Sequence, residues 1–392
     1  MNPIAWLPLL FFLFLMGIAL QAQWLIFFSM TIVVVFGMVH YWTTHALDHV
    51  HYRRSFRYRR GFPGEESPVS IEISNQKALP LSWLKTEDPW SLQIAPTDEA
   101  LLAPSPIEGE GWLVNVANLR WFAKVRRQFS MRFGKRGVYY VGETRLSSGD
   151  LFGLSQIERT IPNREYLTVF PALLPFEMLE LQAEDPFGEA RTRNTLFEDP
   201  TQFAGIRPYR PEDGFRRIHW AATARSGELQ TKMLQPVSAH TLAVCLNLST
   251  SEQFWLGYSS PLLEKLISVA ATLCYYGVQH RYSVGLYANG CLANSDQPFR
   301  IQPGETQQHL AHLLEALAGI TPYIPQPFEA FLTDSLPQIP YGTTLLIITG
   351  ILPESLVETL MRLRTIRRRI LLYKIGSPPQ VNIPGIRAIH VP

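Results

Sequence analysis

Residues 1–47 contain no Asp, Glu, Lys or Arg; Asp48 is the first charged side chain. The 35 basic and 33 acidic residues therefore all fall in residues 48–392, and the overall 17% of charged residues averages two unlike polymers. That partition excludes both a uniformly soluble chain and a disordered one. Cysteine is equally scarce. Cys245, Cys274 and Cys291 are odd in number and show no C-x-x-C spacing, which excludes a disulfide framework and agrees with a reducing compartment. The P-loop, H-E-x-x-H, G-x-S-x-G and Rossmann glycine signatures are all absent. A formal net charge of +2 gives no global electrostatic case for nucleic acid, and no nucleic-acid partner is expected.

What the first 47 residues do contain is apolar. Ile4–Leu20 and Trp24–Trp42 form two runs separated by Gln21-Ala22-Gln23. At about 1.5 Å per residue, each run approaches the roughly 30 Å of a hydrocarbon core. A two-helix transmembrane hairpin over residues 1–47 is expected, with the lipid bilayer as partner. Trp6, Trp24, Tyr41 and Trp42 fall near the ends of the runs, where aromatic rings favour the interface. A cleaved signal peptide is the rival reading. It needs a basic n-region, and Met1-Asn2-Pro3 has no side-chain charge. Arg53, Arg54, Arg57, Arg59 and Arg60 follow the second run. By the positive-inside rule they place the bulk of the chain in the cytoplasm, beneath a cytoplasmic (inner) membrane crossed twice. His45 and His49, with Asp48 between them, have the spacing of metal ligands on a helix, although interfacial polar residues are the commoner reading.

The charged remainder divides by pattern. Residues 48–171 read as a small β-sandwich: Pro68–Ile73 and Phe129–Phe133 alternate, and Lys135-Arg136-Gly137 turns into Val138–Val141. Residues 85–120 are less regular and read as a long loop. Trp83, Trp90, Trp112 and Trp121 are candidates for a ligand-stacking face, with core packing favoured over it. From Thr241 the pattern changes. Thr241–Leu248, Tyr282–Tyr287, Thr344–Thr349 and Ile370–Ile375 read as strands, with Ile386–Val391 as a last edge. Helices are expected at Leu262–Tyr276, Gln307–Leu317, Phe328–Leu336 and Glu354–Ile366. This alternation predicts a doubly wound α/β domain over residues 241–392, and so an α+β multidomain chain. His309 and His312 read as a surface or partner face. Arg362, Arg364, Arg367, Arg368 and Arg369 read as a solvated helix end.

The segment 172–240 connects the two patterns and is the densest in chemistry. Arg207, Tyr209, Asp213, Arg216, His219, Trp220 and Arg225 lie within about twenty residues of one another, followed by Lys232. Guanidinium groups pair bidentately with carboxylates and stack on aromatic rings. An interlocking Arg–Asp–Trp staple between domains and an anion or peptide-terminus site are both compatible with this composition.

The segment resembles domain of unknown function 58, a family of MoxR-associated proteins with a von Willebrand factor A-like region. The family outline is R-x-Y-x-x-G-D-x-x-R-x-I-x-W, then S/T-A-R and L-x-x-K. Arg207, Tyr209, Asp213, Arg216, Ile218, Trp220, Thr223-Ala224-Arg225 and Leu229 to Lys232 match it, with Glu212 in the place of Gly. Gly149-Asp150-Leu151-Phe152-Gly153-Leu154 resembles the family's D-P-F-G-L segment, with Leu for Pro. The resemblance covers the whole chain. It implies a bacterial membrane anchor, an Ig-like β region, an A-like domain and association with MoxR-type AAA+ ATPases.

A complete A domain holds a divalent cation through D-x-S-x-S and a later T-D-G. Here the runs are Asn247-Leu248-Ser249-Thr250-Ser251 and Thr349-Gly350, so both carboxylates are replaced. Hard cations want oxygen ligands with charge among them. The degenerate site at Asn247, Ser249 and Ser251 is therefore expected to hold no metal tightly, with Ser249 and Ser251 instead capping the next helix and its loop. No cofactor and no catalytic residue are expected. The chain reads as a non-catalytic adaptor or assembly protein. The alternatives are an enzyme built on Asp213, Arg216 and His219, and a structural envelope-associated membrane protein.

Overall fold

The computed structural model describes residues 7–150, 155–181, 198–210, 218–236, 241–251, 259–293, 295–378 and 383–392. Two compact units divide it. One is Met1–Ala172 with Glu315–Gly319, and the other is Leu173–Leu314 with Ile320–Pro392.

The first unit opens with α1 (Leu7–Ala19) and α2 (Gln23–Thr44). Of the described helices, α2 alone is long and apolar enough to cross a membrane, and only 11% of its most apolar stretch is buried within the protein. Leu20–Ala22 joins the two helices, and Gly17 gives them close approach: a Cβ there would stand 3.0 Å from Ile26 Cγ1. The hydroxyls of Ser29, Thr31, Thr43 and Thr44 are satisfied along α2 itself, as Thr43 Oγ1 donates to Val39 O at 2.9 Å.

Eleven described strands follow in this unit: β1 (Val50–Phe56), β2 (Arg60–Gly61), β3 (Glu66–Asn75), β4 (Leu81–Ser91), β5 (Leu102–Pro104), β6 (Glu110–Leu119), β7 (Lys124–Arg132), β8 (Gly137–Val141), β9 (Thr144–Gly149), β10 (Gln156–Ile161) and β11 (Glu165–Val169). They form sheets ordered β1-β3-β7, β10-β9-β4-β6-β5 and β2-β11-β8, antiparallel except for the β2–β11 pair. Alternation gives each sheet one apolar face. Val69, Ile71 and Ile73 of β3, Leu84 and Trp90 of β4, Leu113 of β6 and Leu167 of β11 meet in a single core. The irregular stretch expected over residues 85–120 is instead β4 and β6, paired from Leu81↔Leu119 to Ser91↔Glu110. The inward positions of β4 run Leu84, Thr86, Asp88, Trp90, and the two polar residues hide the period.

In the second unit β12 (Glu198–Pro208) and β13 (Gln230–Pro236) form an antiparallel pair, with α3 (Trp220–Ser226) in the connection. The remaining strands are β14 (Thr241–Leu246), β15 (Ser283–Ala288), β16 (Phe299–Gly304), β17 (Thr344–Thr349), β18 (Arg369–Ile375) and β19 (Arg387–Val391). They build one sheet ordered β16-β15-β14-β17-β18-β19. Every pair is parallel except β15–β16. The antiparallel edge strand β16 lies outside the sequence expectation; its inward apolar residues are few and Pro303 and Gly304 close it. Helices α4 (Ser260–Gln279), α5 (Gln307–Ala318), α6 (Phe328–Ser335) and α7 (Glu354–Thr365) alternate with the strands.

Each central strand is buried along its length, as a parallel strand covered on both faces must be. Ala243, Cys245, Leu345 and Ile347 pack with Phe328, Phe331, Leu356 and Leu360 of α6 and α7. The alternate residues face α4, whose Gly277 lies so close that a Cβ would stand 2.6 Å from Val284 Cγ2 and 3.3 Å from Leu242 Cδ1. The order, with helices on both faces, is that of a doubly wound sheet, and its ligand position is the crevice at the carboxyl ends of the strands.

Candidate functional site

The carboxyl ends of β14 and β17 present Asn247 and Thr349. Both are fully buried, and each is fixed by its neighbours. Asn247 Nδ2 donates to Thr349 Oγ1 at 3.0 Å, while Asn247 Oδ1 accepts from Ser249 N at 3.0 Å and from Asn289 Nδ2 at 3.3 Å. Asn289 Oδ1 in turn accepts from Leu248 N at 2.9 Å. Thr349 Oγ1 donates to Ile351 O at 2.5 Å. The amide and hydroxyl groups are thus occupied with one another.

A cation is also built in beside them. Lys374 pairs with Thr349 across β17–β18, is buried, and donates from Nζ to Gly350 O at 2.5 Å and to Ile375 O at 3.2 Å. Burial lowers its pKa from the ordinary lysine value. The donor set therefore does not fit a divalent cation. A neutral amide stands at the first position, glycine stands where a carboxylate is needed, and an ammonium group lies at the next strand end. Among the described residues no group of three or more His, Cys, Asp and Glu side chains could hold a metal ion.

Neither Ser249 nor Ser251 stands at the N-cap position of α4, and the residue that does makes no side-chain cap hydrogen bond. Ser259 is the N-cap residue of α4, and its N–H donates to Thr250 Oγ1 at 2.9 Å.

The connecting motif occupies the β12–α3–β13 assembly. Register pairs Ile206 with Lys232, Arg207 with Thr231 and Pro208 with Gln230. Tyr209 N donates to Leu229 O at 2.8 Å, and His219 N to Gln230 O at 2.8 Å. Ile218 is buried and bridges to Thr231, which anchors the start of α3. His219 then acts as the N-cap: its Nδ1 accepts from Ala222 N at 3.1 Å. Gly227, at φ 77°, ends the helix in the left-handed conformation. Arg207 Nη1 donates to Pro208 O at 3.2 Å. Trp220 is 66% exposed, and Ile206 and Leu229 are exposed as well. Arg225 and Lys232 are exposed too. Asp213 and Arg216 lie outside the described residues, as do Leu151–Leu154 of the second family segment. Asp150, at the edge of that segment, is buried and accepts from Ser155 N at 2.6 Å.

The other candidates resolve individually. His45 Nδ1 contacts Asp48 Oδ2 at 2.9 Å, and that hydrogen bond lowers the Asp48 pKa. His309 is half-buried against the sheet edge rather than on a surface face: its Nε2 donates to Val284 O at 2.8 Å, over Gly304. His312 is exposed. Trp90 is a core residue whose Nε1 donates to Ile94 O at 2.5 Å, whereas Trp121 is 63% exposed. Arg362, at the end of α7, donates to Thr333 Oγ1 at 3.2 Å, and Arg368 donates to Pro340 O at 2.7 Å. Arg362 thus ties α7 to α6 from an exposed position, while the half-buried Arg368 secures the loop at Pro340.

One polar constellation is not visible in the sequence. Arg54, of the arginine cluster, points into the first unit with no exposed side-chain surface. Its Nη1 donates to Asp88 Oδ1 at 3.0 Å, its Nε to Glu165 Oε2 at 3.0 Å, and its Nη2 to Val141 O and Asn163 O at 3.0 and 2.9 Å. Tyr52 and Thr144 donate their hydroxyls to the same Asp88. The burial alternation of β1 is the signal that could have found it: Tyr52 and Arg54 share the inward parity.

Residues 205–391 match the model of the family described as protein of unknown function DUF58. The chain is also 22% identical over 301 residues to the uncharacterized protein YeaD of Bacillus subtilis (strain 168), covering 75% of this chain and 69% of that one. Among solved structures, the CARDB domain of the PF1109 protein from Pyrococcus furiosus, in complex with di-metal ions, is similar over 31% of this chain and 89% of its own. It has 8% identity and a TM-score of 0.21. A PapD-like domain of human CEP192 is similar over 32% of this chain and 87% of its own, with 17% identity and a TM-score of 0.20.

Proposed function

We propose that the chain is a membrane-anchored, non-catalytic adaptor or assembly protein that works with a MoxR-type AAA+ ATPase from the cytoplasmic side. In this reading α1 and α2 both cross the bilayer as a hairpin, the first unit is an immunoglobulin-like sandwich, and the α/β sheet is a von Willebrand factor A-like domain that has lost its metal. The observation that carries the proposal is the exposure of Trp220 on a capped, hydrogen-bonded hairpin and helix whose Ile206, Leu229 and Arg225 are exposed as well. Exposed tryptophan and arginine on a rigid support are the residues that dominate protein–protein binding energy. The internal closure of Asn247, Thr349 and Lys374 supports docking over metal-dependent chemistry. An enzyme centred on His219 is less well supported, because its Nδ1 already caps α3.

The test is co-purification of the detergent-solubilised full chain with a MoxR-type ATPase from the same cell, with and without nucleotide. Capture of the ATPase by the wild-type chain, reduced tenfold or more by Trp220→Ala, is expected at a loss of about 2 kcal/mol for a central aromatic anchor. No association in either nucleotide state sinks the proposal. Recovery of other membrane proteins without the ATPase favours the structural envelope reading instead.

A further inference from the structure

The β6–β7 turn displays two adjacent aromatics: Trp121 and Phe122 are 63% and 68% exposed. Phe122 is held at φ 52°, a left-handed conformation that a bulky side chain seldom adopts. The turn is nevertheless closely tied down. Ala123 N donates to Arg120 O at 3.2 Å, Asn75 N to Ala123 O at 2.9 Å, and Asn75 Nδ2 to Arg120 O at 3.0 Å. The chain therefore presents both rings to solvent on a fixed turn, with Phe122 in an unfavourable backbone state, which calls for an occupant.

The same hydrogen bonds lead to the end of α2. Phe122 N donates to Lys77 O at 3.2 Å, and Gln76 N to His49 O at 3.0 Å. Lys77 Nζ donates to His45 O at 2.8 Å and Asp48 O at 2.6 Å, and also to Ala46 O. Lys77 thus closes the carboxyl end of the apolar helix and carries the Trp121–Phe122 turn on its own backbone. Beside it lies a cavity of about 440 Å³ lined by Tyr41, His45, Asp48, His49 and Lys77. Tyr41, in the last turn of α2, is itself 63% exposed. Arg120 and Lys124 flank the aromatics, and both are exposed.

We infer that the Arg120–Lys124 turn is a second membrane contact, with Trp121 and Phe122 inserted in the interfacial region of the bilayer at the face where α2 emerges. Aromatic rings are enriched at that depth, and flanking cations meet lipid phosphates. This inference rests on the reading that α2 crosses a membrane.

The full chain is reconstituted in phosphatidylcholine/phosphatidylglycerol nanodiscs and spin-labelled at one introduced cysteine. Cys245, Cys274 and Cys291 are all buried, so labelling falls on the new site. The sites are Trp121→Cys, Phe122→Cys, Val34→Cys in the middle of α2, and Ile107→Cys. Ile107 is also an exposed apolar residue, but it lies beyond the other end of the ten-residue β6, roughly 30 Å from the turn. Oxygen is expected to relax the labels at 34, 121 and 122 more than a water-soluble nickel complex does, with the order reversed at 107. A lipid-like label at 34 with water-like labels at 121 and 122 overturns this inference and leaves the anchor intact. A water-like label at 34 overturns both. Labels at 121 and 122 shielded from both reagents indicate a protein contact there and overturn the lipid assignment. A lipid-like label at 107 overturns the restriction to this end of the unit.

Discussion

Arg54 is one of five arginines within residues 53–60, and composition alone counts it as a surface charge. The strand places it inside, where four acceptors surround its guanidinium group. Removing one partner from such a site strands a buried charge. Asp88→Ala is therefore expected to destabilise the first unit by about 3–5 kcal/mol, read as a lower urea midpoint of the detergent-solubilised chain at constant slope. An unchanged midpoint would show that water reaches Arg54. The same site has a pH signature. Burial, and then the Asp88 charge, raise the Tyr52 phenol well above its ordinary pKa. The unfolded phenol ionises near pH 10, so the stability linked to Tyr52 is complete below that pH and is lost as pH rises towards the folded value. Stability should fall by up to about 1.4 kcal/mol per pH unit above pH 10 from this group, and Tyr52→Phe should remove that share of the slope. Thermal melts between pH 8 and 11 measure it. Equal slopes in the two proteins would refute the assignment.

At the scale of elements, Gly277 shows how closely α4 lies on the sheet. Alanine raises helix propensity by about 1 kcal/mol, which alone predicts that Gly277→Ala stabilises. Its Cβ, however, would stand 2.6 Å from Val284 Cγ2, and overpacking of this kind costs typically 1–3 kcal/mol. The packing cost is the larger, so net destabilisation of up to about 2 kcal/mol is expected by chemical denaturation. A stabilised variant would mean that α4 can slide.

The elements of this unit were largely legible in the sequence, because a strand buried on both faces is a continuous apolar run and an amphipathic helix has a clear period. Thr344–Thr349 and Gln307–Ala318 are instances. β4 was not legible, since Thr86 and Asp88 take inward positions, and the partners of Asp88 come from β1 and β9. The Asn247 run was legible as a motif stripped of its carboxylates. Lys374 was not, because only the β17–β18 register brings it beside Thr349. Arg207, Tyr209, His219, Trp220, Arg225 and Lys232 stand out in the sequence by composition and spacing; that His219 caps and Trp220 projects depends on where α3 starts.

At the scale of the whole molecule, the charge partition and the docking proposal lead to one requirement. A partner ATPase in the cytoplasm can meet Trp220 only if the chain after α2 lies on the cytoplasmic side. The burial of Arg54 removes one of the five charges that argue for that orientation, but Arg53, Arg57, Arg59 and Arg60 are exposed within sixteen residues of Thr44. Positive charge so near a span is what resists translocation, and these four residues carry the proposed bias. Protease added to intact spheroplasts should therefore leave the chain whole, while permeabilised spheroplasts should lose everything beyond the protected helices. Neutralising Arg53, Arg57 and Arg60 as Arg→Gln, with Arg59 kept because its Nη2 donates to Glu165 Oε1 at 2.9 Å, should weaken the bias and yield a protease-sensitive fraction without touching the buried network, whereas Arg54→Gln should lower stability and leave topology unchanged. Digestion of the wild-type chain in intact spheroplasts would place Trp220 on the wrong side of the membrane for a cytoplasmic partner. The ATPase proposal would then fall, whatever the hairpin and its exposed aromatic can bind.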